Sequence, residues 1–265
     1  MRKISLIIFV VFCALLSAPA AMAAANTYSI DASEASNGAF SISYNIQNGT
    51  KVKVMVQKDG TSLYYNIAGR GTERFPVQLG NGAYTIAILE NVTGNQYRIV
   101  SRDTLNINMS NILKTFLHSI QIVKWEKEDE AISKARELTA GIESDEEKVK
   151  AIYEYIVSNY KYDYAKIDKL SYDYLPDINK TLKSKSGICY DFSALFASML
   201  RSVGIPAKLV KGYGQKIQGY HAWNEVYINN KWVTMDTSVD IQFAENNRSY
   251  TMYKDSKTYE KVSEF

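Results

Sequence analysis

Two hydrophobic patterns divide this chain. Over residues 27–109, apolar and polar side chains alternate in short runs such as 39–46 and 51–56. An Asp-Gly pair at 59–60 and an Asn-Gly pair at 81–82 mark turns between such runs. Alternation with a period of two predicts strands that bury one face, and short strands at this spacing predict a small antiparallel β-sandwich.

The second half is patterned for helices. Ser144, with Glu147 three residues later, forms a capping-box signature ahead of apolar residues spaced three and four apart. Another helix is predicted to begin at Cys189, because apolar residues recur at helical spacing after it. Gly204 then supplies a C-terminal stop, with Pro206 two residues further on. The apolar face of this helix consists of Phe192, Leu195, Phe196, Met199, Leu200 and Val203.

Two strands are predicted next, over residues 220–228 and 231–236, separated by Asn229-Asn230. Asparagine tolerates the positive φ angles of a two-residue hairpin turn, so residue 228 should pair with 231 and residue 223 with 236. Asp236 then lies diagonal to His221, about 7–8 Å away at the backbone, a gap that a hydrogen bond between the side chains can close. This register puts one set of residues on the same face: His221, Trp223, Trp232, Thr234 and Asp236.

Cys189, His221 and Asp236 have the chemistry of a nucleophile, a general base and an acid that orients the base. Cys189 begins a predicted helix, where free backbone N–H groups and the helix dipole favour a thiolate. Taken singly, each residue also has a structural interpretation: Cys189 as a small buried apolar side chain and Asp236 as the end of a strand. The other histidine, His118, has no cysteine or acid motif nearby and is interpreted as structural.

Short motifs surround these three residues. They read SGICYDF at 186–192, LRSVGIP at 200–206, GY at 212–213, HAWNE at 221–225 and WVTMD at 232–236. In this order they resemble the transglutaminase-like superfamily of papain-type cysteine enzymes, over about residues 145–240. The resemblance implies an α+β fold with a papain-like transglutaminase core, in which Cys189 is the nucleophile, His221 the base and Asp236 its partner.

The resemblance also implies an oxyanion hole, because negative charge develops on the substrate carbonyl oxygen during thiolate attack. The backbone N–H of Cys189 is one expected donor, and relatives take the second from a side chain upstream. Tyr160, Tyr162 and Tyr164 are the candidates here. Tyr162 is preferred, because a helix ending at 159 or 160 would pass into an extended segment there.

Three aromatic residues are assigned to the substrate cleft: Tyr190, Trp223 and Trp232. Core packing explains the two tryptophans nearly as well. Residues 172–186, with Pro176 and several lysines, serines and threonines, are predicted to form a mobile loop beside the cleft.

The amino terminus has the pattern of a secretory signal. Arg2 and Lys3 precede an apolar run at 4–16, and Ala21-Met22-Ala23 supplies small residues for cleavage. A membrane anchor is the alternative, but the apolar run is shorter than the ~20 residues that a spanning helix needs. Cleavage would remove Cys13 and leave Cys189 as the single cysteine. We therefore expect a secreted or cell-surface protein with no stable membrane insertion.

The patterns give four predicted segments: a signal peptide at 1–23, a β-sandwich domain at 27–109, a helical linker at 110–143 and a transglutaminase-like catalytic domain at 144–265. Lys and Arg number 31 and Asp and Glu number 28, a near-neutral balance that offers no field for binding nucleic acid. Two distant histidines cannot complete a zinc site with one cysteine, and no acidic calcium loop occurs. Neither a metal nor another cofactor is expected.

The function implied by the resemblance is acyl transfer from protein or peptide amides through a cysteine thioester, on substrates that include cell-wall or surface-associated proteins. A cysteine peptidase or amidase of the same fold is one alternative, and a non-enzymatic cell-surface interaction module is the other. Transamidation is expected slightly ahead of hydrolysis, because Trp223 and Trp232 could shield a thioester from water.

Overall fold

A computed structural model describes residues 26–171 and 173–265. The predicted signal peptide, with Cys13, lies outside these residues. The amino-terminal part of the described chain contains seven strands: β1 (Thr27–Asp31), β2 (Ala39–Asn45), β3 (Val52–Lys58), β4 (Thr61–Ile67), β5 (Arg70–Pro76), β6 (Gly82–Thr93) and β7 (Gln96–Ile107). They form two antiparallel sheets, with strand orders β1-β2-β5 and β4-β3-β6-β7.

The two sheets bury a common core. In β2 the alternating Phe40 and Ile42 are fully buried, as the sequence pattern predicts. Tyr65 of β4 meets Phe75 of β5 edge to face, with 5.1 Å between ring centroids, so side chains interlock from one sheet to the other. Each large apolar side chain buried in this way contributes about 1.5–3 kcal/mol.

The remaining elements combine helices with a third sheet. They are α1 (Glu130–Thr139), α2 (Asp145–Asn159), β8 (Lys161–Tyr162), α3 (Tyr164–Ile167), α4 (Ile178–Ser184), β9 (Ser186–Gly187), α5 (Cys189–Ser202), β10 (Ala207–Gly214), β11 (His221–Ile228), β12 (Lys231–Met235), α6 (Thr237–Glu245) and β13 (Tyr259–Glu264). Four of the strands form an antiparallel sheet in the order β12-β11-β10-β13. The predicted α+β class is confirmed.

Helix α5 is the centre of this half. Every residue from Asp191 to Arg201 is buried, because α5 packs against β10 and β11 on one side and against α1, α2, α4 and α6 on others. Gly204 adopts a φ of +86°, and the N–H of Ile205 donates to the carbonyl of Leu200 at 3.0 Å. The predicted helix and its glycine stop are both confirmed.

The hairpin has the predicted register. Asn229 and Asn230 have φ angles of +51° and +60°, which suit a tight turn between twisted strands. Ile228 pairs with Lys231, and Val226 pairs with Val233.

The segment at 172–186 is more ordered than its sequence pattern predicts, whereas the linker at 110–143 contains a helix, as predicted. The predicted mobile loop at 172–186 contains α4, because Asp177 accepts the N–H of Lys180 at 2.9 Å and Ile178 and Leu182 bury one face. The predicted linker at 110–143 contains α1, whose buried side chains include Ala131 and Ile132 and which packs on α5. In the described residues no helix is long and apolar enough to cross a membrane.

Arg201 ties distant segments together. Its buried guanidinium donates to the carbonyls of Ala207 at 2.8 Å, His118 at 2.7 Å and Phe265 at 2.8 Å. Burial lowers the pKa of Arg201 to about 9. The side chain thereby joins α5 to the start of β10, to the segment before α1 and to the end of β13.

We predict that Arg201→Met lowers the free energy of unfolding by about 2 kcal/mol or more, because three buried carbonyls lose their donor. Urea denaturation followed by circular dichroism measures this change. Arg136→Met removes an exposed arginine of α1 and should change stability by less than about 0.5 kcal/mol. Equal stability changes in the two variants would contradict the prediction.

Candidate active site

The start of α5 is held by a buried carboxylate. Asp191 is fully buried and accepts the backbone N–H of Ile188 at 2.9 Å, which fixes the turn that presents Cys189. Lys166 donates to the same carboxylate at 2.6 Å, and the Tyr174 hydroxyl donates to its other oxygen. A Cβ at position 187 would lie 2.9 Å from the Asp191 Cβ, so glycine is required for this close approach.

A short parallel pairing brings a tyrosine to Cys189. Strand β8 pairs with β9, with Tyr162 opposite Gly187. The Tyr162 hydroxyl is hydrogen-bonded to both the backbone and the side chain of Cys189. Burial, reinforced by the charge of Cys189, raises the pKa of Tyr162, so the hydroxyl keeps its proton at neutral pH and can donate it.

The other two tyrosines of this cluster are engaged elsewhere. Tyr160 is buried, and its hydroxyl accepts a hydrogen bond from Lys185 at 3.3 Å. Tyr164 is 60% exposed and donates to the side chain of Gln242 at 2.9 Å. Of the three candidates, the structure brings only Tyr162 into contact with Cys189.

His221 and Asp236 form a buried pair. The Nε2 atom of His221 lies 2.8 Å from Oδ2 of Asp236. The same carboxylate oxygen accepts the Tyr259 hydroxyl at 2.9 Å, and Oδ1 accepts the N–H of Val239 at 3.1 Å, which caps α6. Because every oxygen of this buried carboxylate has a donor, its position is fixed.

The histidine also reaches the cysteine. His221 is hydrogen-bonded to the thiol of Cys189, and since Nε2 faces Asp236, Nδ1 is the atom left for the thiol. Burial opposes the charged imidazolium, but the charge and hydrogen bond of Asp236, together with Cys189, outweigh it and raise the pKa of His221 to about 10. Cys189 itself is half-buried. The predicted nucleophile, base and orienting acid are therefore neighbours in space.

The two tryptophans predicted to line the cleft lie in different places in the structure. The Trp223 ring lies nearly parallel to the His221 ring, 6.3 Å between centroids, and is buried beneath it rather than forming an open wall. Trp232 shares that face of the hairpin but lies four residues from Asp236, about 13 Å along the strand. It packs on Phe116 and Tyr227 at 5.2 and 5.3 Å, so the structure does not bring Trp232 to the site.

Tyr190 lies directly after Cys189 and is mostly buried. Its ring meets that of Tyr174 at 6.1 Å, and the Lys211 ammonium lies 3.6 Å from its centroid.

Three residues near the site were missed by sequence reasoning. Asp191 belongs to the SGICYDF motif, and its position two residues after Cys189 could have identified it as a residue of the site. Lys211 precedes the Gly-Tyr motif, but its closeness to Cys189 is a product of strand pairing. Tyr259 lies 23 residues beyond Asp236, and no local pattern links them.

The described residues hold no group of three or more His, Cys, Asp or Glu side chains that could bind a metal ion.

His118, interpreted as structural, contacts the carbonyl of Asn37 through Nε2 at 2.7 Å.

Residues 132–237 match the model of the transglutaminase-like superfamily. This stretch of the chain is thus a transglutaminase-like domain, as its motifs indicated, and it has the papain-like arrangement of helices and strands expected from them.

Relatives share only part of their length with this chain. Kyphoscoliosis peptidase from Homo sapiens is 28% identical over 150 residues, which are 52% of this chain and 22% of that protein. The uncharacterised protein YebA from Bacillus subtilis is 34% identical over 110 residues, 34% of this chain and 15% of that protein. A crystal structure of a candidate cysteine protease from Cytophaga hutchinsonii is 16% identical with a TM-score of 0.47, covering 91% of this chain and 84% of that one.

We predict that alkylation of Cys189 by iodoacetamide slows less between pH 9 and pH 7 than it does in His221→Ala, because His221, with a pKa of about 10, remains an imidazolium beside the sulfur. In His221→Ala the rate should fall about tenfold per pH unit below pH 8.5, as for an ordinary thiol. Stopped-flow or mass-spectrometric labelling measures both profiles.

His118→Gln is the matched control, since it removes the other histidine of the described chain, which does not touch Cys189. Its profile should follow that of the unmodified protein. A profile of the His221→Ala protein that is also unchanged would contradict the assignment of His221 as the base.

Proposed function

We propose that this protein is a secreted cysteine enzyme that attacks amide or acyl groups of proteins or peptides and passes through a thioester on Cys189. The observation that carries the proposal is the contact of Cys189 with His221, which is itself bonded to buried Asp236 at 2.8 Å. A core helix and a hairpin from separate parts of the chain converge to make this contact. Structural packing alone does not require it.

In the first half-reaction the sulfur, as a thiolate paired with the His221 imidazolium, attacks the substrate carbonyl carbon. Asp236 stabilises the imidazolium through Nε2. When the tetrahedral intermediate collapses, the bond from carbon to nitrogen breaks and His221 gives its proton to the departing amine. The products of this half are a free amine and an acyl group on the Cys189 sulfur.

The oxyanion of the intermediate needs donors. In the free protein the N–H of Cys189 and the hydroxyl of Tyr162 are bonded to each other. A substrate oxygen that displaces this contact finds both donors already at the right place, and each such donor is worth about 2.7–4 kcal/mol in the transition state.

Water is the acceptor that we propose for the second half-reaction. The expectation of transamidation depended on two tryptophans shielding the thioester, but Trp223 is buried beneath the histidine and Trp232 lies elsewhere. Without such a shield, water deprotonated by His221 attacks the thioester, releases a carboxylate and restores the thiol.

The site of action follows from the amino terminus. The secretory pattern of residues 1–23 favours an exported protein. Its substrates would then be extracellular or cell-surface proteins and peptides, in agreement with a near-neutral charge balance that favours no polyanion.

We predict a hydrolytic product from a pool of glutamine-containing peptides incubated with the protein, a labelled primary amine and isotopically heavy water. Heavy oxygen in a deamidated or cleaved peptide, read by mass spectrometry, is the expected result. Cys189→Ala, which keeps the helix and removes the thiol, should abolish it, as should prior alkylation of the unmodified protein. Activity in a folded Cys189→Ala protein would overturn the proposal, and predominant amine incorporation would reverse the choice of acceptor.

We predict further that Tyr162→Phe lowers kcat about 10²-fold, because the oxyanion of the intermediate loses one of its hydrogen-bond donors. Tyr164→Phe removes the neighbouring hydroxyl, which bonds to Gln242, and is the matched control. Steady-state kinetics on the peptide identified above measure both variants. Equal kcat in the two variants would exclude Tyr162 as an oxyanion donor.

A further inference from the structure

A cavity of about 310 Å³ lies between the β-sandwich and the catalytic half. Its lining includes Tyr44, Tyr64 and Glu73 from the sandwich and Tyr174, Tyr190 and Lys211 from the catalytic half. Cavities of this size accept a group of one or two amino-acid residues. Cys189 does not line the cavity, but Lys211, which does, lies close enough to interact electrostatically with Cys189.

Lys211 is the unusual member of this lining. It lies on β10 beside Gly212, which pairs with His221. Its ammonium is held over the rings of Tyr190 at 3.6 Å and Phe265 at 5.6 Å, and no carboxylate of the described residues forms an ion pair with it.

Another lysine of the same strand provides a comparison. Lys208 is more fully buried than Lys211, but its ammonium lies 3.0 Å from Glu264 and 3.7 Å from Glu225. Lys208, which has a structural role in β10, therefore has carboxylate partners. Lys211 has aromatic rings alone, and cation–π contacts of about 0.5–2 kcal/mol only partly replace lost hydration.

The electrostatic balance agrees with this comparison. Burial lowers the pKa of Lys211 to about 8, and the nearby charge of Cys189 offsets the effect only in part. The ammonium is thus destabilised in the free protein, yet still mostly charged at neutral pH. A carboxylate that entered the cavity would stabilise it.

We infer that the cavity is a substrate subsite in which Lys211 binds a carboxylate close to the amide that Cys189 attacks. The inference rests on the proposed function and specifies its substrates as peptides with either an acidic side chain or a free carboxyl terminus at this position. The tyrosine rings of the lining would pack on the aliphatic part of the bound residue.

Two acidic residues, Glu73 and Asp173, also line the cavity. Asp173 is exposed, and Glu73 accepts the Tyr44 hydroxyl at 3.2 Å. A cationic ligand for Glu73 is the competing possibility, and the experiment below tests it directly.

The test measures binding of peptides to the Cys189→Ala protein by isothermal titration calorimetry, so that no turnover is needed. One blocked, amidated peptide pair carries glutamate or glutamine next to the reactive glutamine. A second pair ends in a free carboxylate or a carboxamide at the same place. We expect the acid of one pair to bind about tenfold or more tightly than its amide, and the pair that discriminates identifies the source of the carboxylate.

Lys211→Met should abolish this discrimination, and Lys211→Arg should retain part of it. Lys216→Met removes an exposed positive charge outside the cavity lining and should leave it unchanged. In Glu73→Gln the affinity for the peptides that carry a carboxylate should be unchanged or higher. Circular dichroism checks that each variant is folded.

Equal binding of acids and amides, absence of binding to any of the peptides, discrimination that survives Lys211→Met, or weaker acid binding in Glu73→Gln would each overturn the inference. These outcomes are distinct from failure of the proposed function. The subsite is tested by peptide binding, which does not need the Cys189 thiol. The proposed function is tested by the loss of turnover in Cys189→Ala, which does not depend on a carboxylate in the peptide.

Discussion

The buried carboxylate of Asp236 is the constraint on which the site depends. Removing a carboxylate from water costs several kcal/mol unless it is fully bonded. Here His221, Tyr259 and the N–H of Val239 supply the donors, from β11, β13 and the start of α6. One acid therefore fixes the histidine, begins a helix and holds the last strand of the sheet, so that its structural and proposed chemical roles coincide.

A second buried carboxylate positions Cys189 in a similar way. Asp191 fixes the turn before α5 through Ile188, and its contacts with Lys166 and Tyr174 hold the segment that borders the cavity. The cysteine and the histidine are thus positioned by separate acids on separate elements. Their meeting depends on the packing of α5 against β11, and hence on the buried face of that helix.

The β-sandwich contributes more than a separate fold. Arg201 connects α5 to His118 and Phe265, and Gln78 of the sandwich donates to the carbonyl of Glu264 at 3.0 Å. The cavity that contains Lys211 lies along this junction. In our proposal the sandwich therefore completes one wall of the substrate subsite, which gives a physical reason for the two halves to stay together.

The sequence by itself determined the local elements and the partners of the triad. Helical spacing and Gly204 defined α5, and two asparagines set a hairpin register in which His221 and Asp236 share a face; all of these are interactions between near neighbours in the chain. Only the tertiary structure decided which tyrosine meets Cys189, that Trp232 lies away from the site, and that Tyr259 and Lys211 lie near it. Those contacts depend on strand pairing and packing between segments far apart in the chain, where no periodic pattern reports distance.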